Sequence, residues 1–410
     1  MTGGFRLTGR RQTAKRFIIC GMGLSEPGTM GGNSKIALEL ARCLSNAFEI
    51  HFILPGRKVE TVTDALGDTG RIVLHPVAGF KGNDLRHPFA SARHYTRVLR
   101  EAFRALNVNA EDVVYACSDF HVDTLPCSRL KREFGYTWIA VQFLFVPFIF
   151  ENLLKRYRFP ALTYLLVWFY SRLLFRIARR HADGFVITND SDLTHFPEPF
   201  RSRVFPIYGG VNIEQIPDAP ATRSRDVVFC SRLHPQKGID GFLEIWKRVR
   251  AQCPDVRLTV IGNGAPDYTR ALKRKAERLG IADSIEWLGY VNNEAKYAIY
   301  RSARILVHPT VFDNNGMVAA EALCSGLPVV MYDLPALRHV YTTGCVKVPY
   351  GDQAAFAAAL VKLLTEPEAY AAVAPTPEQQ ARLREQWAWR NRVRSFETWL
   401  TPISTSDGNA

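Results

Sequence analysis

The sequence repeats one pattern along most of its length, in which short apolar runs alternate with longer stretches that carry apolar residues at helical spacing. This alternation is typical of parallel sheets covered by helices, because the strands of such sheets are buried on both faces. The strands that it predicts in the first half are Phe17–Cys20, Ile50–Leu54, Arg71–Val77, Asp112–Ala116, Thr137–Val141, Gly184–Thr188 and Val204–Tyr208.

The alternation stops in a turn-rich segment at residues 209–220 and then starts again. The strands that it predicts in the second half are Asp226–Cys230, Val256–Ile261, Ser284–Leu288, Ile305–Pro309 and Pro328–Tyr332. A chain of 410 residues is too long for one ordinary core. We therefore predict an α/β protein with a loose basic arm (1–15) and two Rossmann-like domains (16–212 and 223–385). Ligands of such folds bind at the carboxyl ends of the strands, which here border a cleft between the domains.

The composition limits what the cleft can bind. Lys and Arg outnumber Asp and Glu by 52 to 39, and a basic excess of this size attracts nucleotides, phosphates, nucleic acid or an anionic membrane. Because the basic residues form no groove motif interleaved with aromatics, we expect no nucleic-acid partner. Eight dispersed cysteines without CxxC or zinc-ligand spacing, and the lack of a visible secretory signal, predict a cytoplasmic protein.

The strongest local signal is a loop between a strand and a helix that carries two carboxylates, Asp313 and Glu321, eight residues apart. Backbone N–H groups at a glycine-bearing loop and a helix start bind phosphate or sugar oxygens. The residues that would supply them are Asn315, Gly316, Met317 and Val318. The carboxylates would accept hydrogen bonds from sugar and ribose hydroxyls, and ordinary helix capping is the alternative for Asp313.

This region resembles the family 4 retaining glycosyltransferases. Their signature is two glutamates separated by seven residues, continuing as Glu-Ala-Met-Ala-x-Gly-x-Pro-Val-Val, and residues 321–330 read EALCSGLPVV. Residues 231–238 (SRLHPQKG) resemble the family's diphosphate clamp, 260–264 (VIGNG) its Gly-x-Gly turn, and 287–291 (WLGYV) the strand end beneath the base. The resemblance implies the GT-B fold, with two Rossmann-like domains facing across a cleft and a C-terminal helix (386–402) that packs back on the first domain.

The resemblance also implies roles for individual residues. A guanidinium fork and an ammonium, Arg232 and Lys237, would stabilise a departing diphosphate, with Asp313 as the third residue in the catalytic set. A solvated pair of loop cations is the alternative for Arg232 and Lys237. The donor-binding residues would be Gly31, Gly32, Gly262, Asn315, Gly316, Met317, Val318 and Glu321. We expect neither a cofactor nor a metal, because the two cations can neutralise the diphosphate and no Asp-x-Asp pair follows a cleft strand.

Two departures from the family pattern stand out. Asp313 replaces the family's first glutamate and is one methylene shorter. The family's histidine after the strand that ends near residue 141 is replaced by Gln142 or a neighbour. Gln142 and His121, interpreted as a loop histidine, are therefore candidates for contact with the donor or the acceptor.

An apolar and aromatic stretch between Phe143 and Ile177, flanked by cations, points to a membrane surface. Its apolar runs are interrupted before the roughly 20 residues of a spanning helix. Its cations are Lys155, Arg156, Arg158, Arg172, Arg176, Arg179 and Arg180. Aromatics beside Lys and Arg suit an interfacial helix among anionic headgroups, and a buried helix with a solvated basic rim is the alternative. We expect a peripheral protein at the inner face of the membrane.

These features together predict a retaining, metal-independent enzyme. It would move a hexose-type sugar from a UDP- or GDP-sugar to an acceptor, such as a lipid-linked saccharide or a glycan at the membrane surface. A nucleotide-sugar epimerase on the same fold and a non-catalytic, membrane-associated nucleotide-sugar-binding protein remain open. A dehydrogenase is disfavoured, because Glu26 stands where a dinucleotide-binding loop needs its third glycine.

Overall fold

Two parallel sheets organise the chain in a computed structural model, which describes residues 15–24, 31–67, 71–79, 87–146, 161–218 and 223–405. The strands of the first sheet are β1 (Arg16–Cys20), β2 (Glu49–Pro55), β3 (Ile72–Val77), β4 (Val113–Ala116), β5 (Thr137–Gln142), β6 (Gly184–Ile187) and β7 (Val204–Pro206). They lie in the order β3-β2-β1-β4-β5-β6-β7 and pair in parallel. This is the doubly wound arrangement that the alternating pattern predicts.

The second sheet has the same kind of order. Its strands are β8 (Arg225–Cys230), β9 (Leu258–Ile261), β10 (Ile285–Gly289), β11 (Ala303–His308), β12 (Val329–Tyr332) and β13 (Cys345–Val348). They lie in the order β10-β9-β8-β11-β12-β13, all parallel. In each sheet the strand order reverses beside the first strand, and such a switch point opens a ligand crevice at the carboxyl ends.

Helices cover both sheets. In the first domain they are α1 (Gly32–Leu44), α2 (Val59–Leu66), α3 (Pro88–Ala105), α4 (His121–Phe134) and α5 (Ala161–His181). In the second they are α6 (Ile239–Gln252), α7 (Pro266–Arg278), α8 (Asn293–Ser302), α9 (Met317–Cys324), α10 (Gln353–Thr365), α11 (Pro367–Val373) and α12 (Pro377–Trp387), and α13 (Trp389–Thr405) follows. None of the helices within the described ranges combines the length and hydropathy of a membrane-crossing segment.

Both faces of the first sheet are buried, which explains why its strands are apolar without interruption. In β1, Phe17 and Ile19 join one apolar core, while Ile18 and Cys20 join the core on the opposite face. Successive side chains of a strand point to opposite faces, so consecutive residues of β1 alternate between the two helix layers.

The last helix belongs spatially to the first domain, although the second domain precedes it in the sequence. The amide of Val211 donates to the carbonyl of Trp387 at 2.8 Å, where the two connecting segments cross. From there α13 places Trp389, Val393, Phe396 and Leu400 in a core of the first domain. The chain therefore crosses between the domains twice, and the second crossing ties α13 to β1.

Several predicted boundaries move for identifiable reasons. The predicted strand Val204–Tyr208 ends at Pro206, because Tyr208 and Gly209 adopt positive φ angles of 54° and 70°. The predicted strand Val256–Ile261 starts at Leu258, and the side chain of Asp226 accepts the amide of Arg257 at 3.0 Å. Strand β13 was not predicted, since only Val348 in it is buried and the apolar signal is weak. The predicted basic arm, except residue 15, and residues 219–222 of the predicted linker lie outside the described residues.

Candidate active site

The loop between β11 and α9 is built around the side chain of Asp313. Its Oδ1 accepts the amides of Asn315 and Gly316 at 3.2 and 3.1 Å, which folds the loop into a tight turn. Gly316 caps α9 with a left-handed φ of 59°, a conformation that glycine adopts at little cost. The hydroxyl of Tyr341 lies 2.7 and 2.9 Å from the carbonyl oxygens of Asn315 and Gly316. The N-cap of α9 is Gly316, with no side-chain cap, so Oδ1 of Asp313 closes the loop before the helix and does not cap the helix itself.

The other oxygen of Asp313 pairs with the predicted diphosphate clamp. Oδ2 lies 2.6 Å from Nζ of Lys237, which ends the short turn Pro235–Lys237. Gly238 follows with a φ of 74°, and a Cβ there would lie 1.9 Å from the carbonyl oxygen of Pro309. The clamp turn thus packs against the backbone at the end of β11, and only glycine fits at the contact. The structure places the side chains of Lys237 and Asp313 together.

The surroundings of Asp313 and of His308 shift the pKa values of both side chains. Burial alone would raise the pKa of Asp313, but the ammonium of Lys237 outweighs it and holds that pKa well below its usual range. His308 lies behind the pair with Nε2 3.6 Å from Asp313 Oδ2, and burial lowers its pKa to about 4. Near neutral pH Asp313 is therefore a carboxylate and His308 a neutral imidazole.

Arg232 and Gly262 lie on neighbouring turns after β8 and β9. Arg232 is exposed to solvent. Gly262 has a φ of 130°, and a Cβ there would lie 1.8 Å from the carbonyl oxygen of Ser231. Its structural contribution is therefore to let the β9 turn approach the turn that carries Arg232.

Glu321 is buried and shared by two lysines. Its Oε1 lies 2.7 Å from Nζ of Lys35, in the first turn of α1, and its Oε2 lies 2.8 Å from Nζ of Lys296 in α8. Burial raises the pKa of Glu321, but the two ammonium groups together lower it to about 2. Neither lysine was predicted from the sequence. Lys35 follows the predicted glycine loop closely, which is the one signal that could have found it.

Gly31 and Gly32 lie at the start of α1. Gly31 is its N-cap, and its carbonyl accepts the amide of Lys35 at 3.0 Å. A Cβ at Gly32 would meet nothing within 4 Å, so packing does not require a glycine there. The glycines thus stand directly before the lysine that reaches Glu321.

Gln142 and His121 are placed differently from expectation. The prediction of a loop histidine is wrong, because His121 is the first residue of α4, is 0% exposed and meets Tyr170 edge-on with a centroid distance of 5.9 Å. Gln142 is buried, and its Nε2 donates to Asp119 Oδ2 at 3.2 Å and to the carbonyl of Leu144 at 2.9 Å. Their contacts with donor or acceptor stay predictions.

A polar seam joins the Asp313 loop to the first domain. The side chain of Asn314 donates to the carbonyl of Phe143 at 2.8 Å and to Asp192 Oδ2 at 3.4 Å. Its own carbonyl accepts from Asn189 Nδ2 at 3.2 Å. Burial raises the pKa of Asp192 to about 7. This seam was not predicted from the sequence, because it joins residues more than 100 positions apart.

Comparison with known proteins bears on this site. Residues 224–366, about a third of the chain, match a family model described as Glycosyl transferases group 1. The match lies within the second domain. The predicted family resemblance is thereby confirmed, and the matched range contains Arg232, Lys237, Gly262, Asp313 and Glu321.

Curated relatives match part of the chain. A phosphatidyl-myo-inositol mannosyltransferase from Mycobacterium leprae is 34% identical over 176 residues, which cover 41% of this chain and 46% of the relative. A D-inositol 3-phosphate glycosyltransferase from Geodermatophilus obscurus is 33% identical, covering 42% of each chain. The chain thus spans less than half the length of these relatives.

Solved structures match nearly all of this chain. The Anabaena protein HepE, crystallised with UDP and glucose, superposes with a TM-score of 0.70 at 15% identity over 95% of this chain and 100% of its own. Sucrose-phosphate synthase from Thermosynechococcus elongatus gives 0.76 at 14% identity over 96% and 100%. The predicted GT-B fold is confirmed.

The contact at Gly238 generates a stability prediction. Gly238→Ala forces a Cβ against the carbonyl of Pro309 at a positive φ, so we expect it to destabilise the protein by roughly 2 kcal/mol or more. Gly241→Ala, in α6, is the matched control: its Cβ would have only an ordinary contact at 3.7 Å. We expect that change to stabilise by about 0.5 kcal/mol. Urea denaturation measures both, and equal effects would contradict the contact.

The seam generates a pH prediction. A raised pKa means that folded Asp192 holds its proton more tightly than the unfolded chain, so its ionisation reduces stability as pH rises from about 4 to about 7. Asp192→Asn should therefore stabilise by roughly 1–3 kcal/mol at pH 8 and change little at pH 4. Denaturation at both pH values tests this, with exposed Glu198→Gln as the control. A stabilisation independent of pH would contradict the assignment.

Proposed function

We propose that this protein is a retaining glycosyltransferase that moves a hexose-type sugar from a UDP- or GDP-sugar to an acceptor at a membrane surface. The observation that carries the proposal is the Lys237–Asp313 pair, held at 2.6 Å beside the amino end of α9 in a group 1 glycosyl transferase domain. Such a site offers an ammonium, a carboxylate and the amino end of a helix to one ligand.

These groups suit a nucleotide-sugar donor. The ammonium of Lys237 has three N–H donors and gives one to Asp313, so others can reach a diphosphate. The exposed guanidinium of Arg232 can add a fork of two donors. Negative charge on the diphosphate grows as the glycosidic bond breaks, so contacts with Lys237 and Arg232 would strengthen in the transition state. Asp313 would accept a hydrogen bond from a sugar hydroxyl, and Glu321 would accept one from a ribose hydroxyl.

The reaction would proceed on one face of the sugar. The bond from the anomeric carbon to the diphosphate oxygen breaks, and a bond to the acceptor oxygen forms on the same face. The acceptor's proton passes to the departing phosphate oxygen, so no protein nucleophile and no metal are required. Retention of configuration follows from attack on the face that the leaving group vacates.

The choice of donor and acceptor draws on the relatives. The names of the mycobacterial relatives specify a mannosyltransferase that acts on phosphatidyl-myo-inositol, and the Anabaena structure contains UDP and glucose. A lipid-linked saccharide is therefore the proposed acceptor, and no further cofactor is proposed.

Helix α5 supports the membrane part of the proposal. Leu166, Phe169 and Leu173 are 61%, 58% and 43% exposed, and they share one helix face with exposed Arg176 and Arg180. An apolar stripe that continues into basic residues suits an interface with anionic headgroups. Arg172 and Arg179 instead lie over aromatic rings, at 5.5 Å from Trp168 and 5.7 Å from Phe175 respectively. Predicted residues Lys155, Arg156 and Arg158 lie outside the described residues.

Exposed apolar side chains also follow the carboxyl ends of β4 and β5. His121 meets Tyr170 of α5, and the next residue back, Phe120, is 44% exposed. The amide of Leu144 donates to Asp119 Oδ2 at 3.3 Å, and the residue is 39% exposed. An acceptor with its lipid in the membrane could therefore present its headgroup to the cleft.

The transfer prediction uses single substitutions in the clamp. Lys237→Ala and Arg232→Ala should each lower turnover by about 100-fold, since each removes a charge-assisted contact that strengthens as the diphosphate leaves. Arg274→Ala, an exposed arginine of α7, is the control and should leave turnover unchanged. The assay incubates UDP-glucose or GDP-mannose with extracted membrane lipids and detects glycosylated lipid by mass spectrometry. Wild-type turnover in either clamp variant would refute the donor site, and conversion of the donor to an epimeric nucleotide-sugar without any transfer product would favour an epimerase.

The membrane prediction uses vesicles. The protein should sediment with phosphatidylglycerol-containing vesicles at low salt and be released at high salt, because each cation near such a surface contributes about 1 kcal/mol that salt screens. The double variant Arg176→Gln/Arg180→Gln should weaken vesicle binding. The double variant Arg274→Gln/Arg278→Gln, which changes two exposed arginines of α7, should not. Equal and negligible sedimentation with anionic and neutral vesicles would contradict the surface.

A further inference from the structure

The group formed by Lys35, Glu321 and Lys296 has a charge arrangement that the transfer chemistry does not require. One carboxylate accepts from two ammonium groups, at 2.7 and 2.8 Å, and the three side chains are 15%, 5% and 11% exposed. Burying three charges together carries a desolvation cost. The arrangement therefore calls for an explanation beyond the binding of one ribose.

The two lysines belong to different domains. Lys296 lies on α8, in the same domain as Glu321, whereas Lys35 lies in the first turn of α1 in the first domain. One ion pair is therefore internal to the donor domain, and the other crosses the cleft. Among the residues that the structure describes, Lys35 is the only cation of the first domain that pairs with Glu321.

This division makes the cleft-crossing pair easy to break and reform. When the domains separate, Glu321 keeps Lys296, and Lys35 returns to water, so no carboxylate is left buried and unpaired. Removing the sole partner of a buried charge is strongly destabilising, and the second lysine avoids that penalty. The pair can therefore open and close without a large barrier from charge burial.

The excess positive charge also faces the donor site. Two ammonium groups and one carboxylate leave this group with a net charge of plus one. Glu321 lies one helical turn after Met317, the first residue of α9. An anion bound at that helix start would be attracted to Lys35 across the cleft. Closure and anion binding then favour each other, as linkage requires.

We infer that Lys35 is a positioning residue that acts through Glu321 to hold the two domains closed and to couple closure to a bound nucleoside diphosphate. The coupling rests on the proposed function. The role of Lys35 in holding the two domains closed does not rest on the proposed function, because it requires only the ion pair between Lys35 and Glu321.

The test combines small-angle X-ray scattering with calorimetry of UDP and GDP binding, on the full chain. Lys35→Met removes the charge and keeps the length of the side chain. It should increase the radius of gyration of the ligand-free protein and weaken binding of whichever nucleotide the wild type binds by about tenfold. Lys35→Arg keeps the cation and should restore both properties to near wild type.

Lys296→Met is the control within the same group. It removes the partner on the donor domain, so it should lower the melting temperature while the radius of gyration stays as in the wild type. If Lys35→Met does not fold, Lys35→Gln takes its place in the same measurements.

The outcomes separate the two parts of the inference. A wild-type radius of gyration in ligand-free Lys35→Met overturns the role in closure. A larger radius with unchanged nucleotide affinity overturns the coupling. If the wild type binds neither UDP nor GDP, the proposed donor site fails, whereas the scattering of the ligand-free variants still decides whether Lys35 holds the domains together.

Discussion

The site depends on one backbone contact, between Gly238 and the end of β11. A Cβ at this position would come within 1.9 Å of the carbonyl oxygen of Pro309, so the clamp turn approaches the strand more closely than any side chain permits. Two further bonds fix the approach: Val311 donates its amide to the carbonyl of Gln236 at 3.0 Å, and the side chain of Gln236 donates to the carbonyl of Phe312 at 2.9 Å. The 2.6 Å pair of Lys237 and Asp313 follows from this geometry.

The segment from Asp313 to Glu321 is also where the two domains meet. Asn314, near its start, hydrogen-bonds to the seam formed by Phe143, Asn189 and Asp192, and Glu321, at its end, pairs with Lys35. The cleft therefore closes directly on the residues proposed to hold the donor. The crossing of residues 211 and 387 lies elsewhere in the chain, so these contacts add to the covalent connections between the domains.

The architecture could be predicted from the sequence because it depends on local patterns. Apolar alternation located the strands, and helix Asn293–Ser302 was predicted with both ends correct. The family resemblance placed Lys237 and Asp313 in one catalytic set. In the structure they lie close together because they follow β8 and β11, which are neighbouring strands. The pairing of Lys35 and Lys296 with Glu321 could not be predicted from local patterns, because it depends on tertiary packing, across the cleft for Lys35 and between two helices of the second domain for Lys296. His121 was misplaced because the helix behind it has a weak amphipathic pattern and an internal proline.

The replacement of the family's glutamate by Asp313 has a physical consequence in this loop. An aspartate is short enough to fold back on the amides two and three residues ahead, and Oδ1 does so at 3.2 and 3.1 Å. A glutamate is longer by one methylene and matches this turn less well. The shorter side chain thus stabilises the loop with one oxygen and directs the other to Lys237. A sugar hydroxyl at this position would use the remaining lone pairs of Oδ2, and would bind beside Lys237 instead of displacing it.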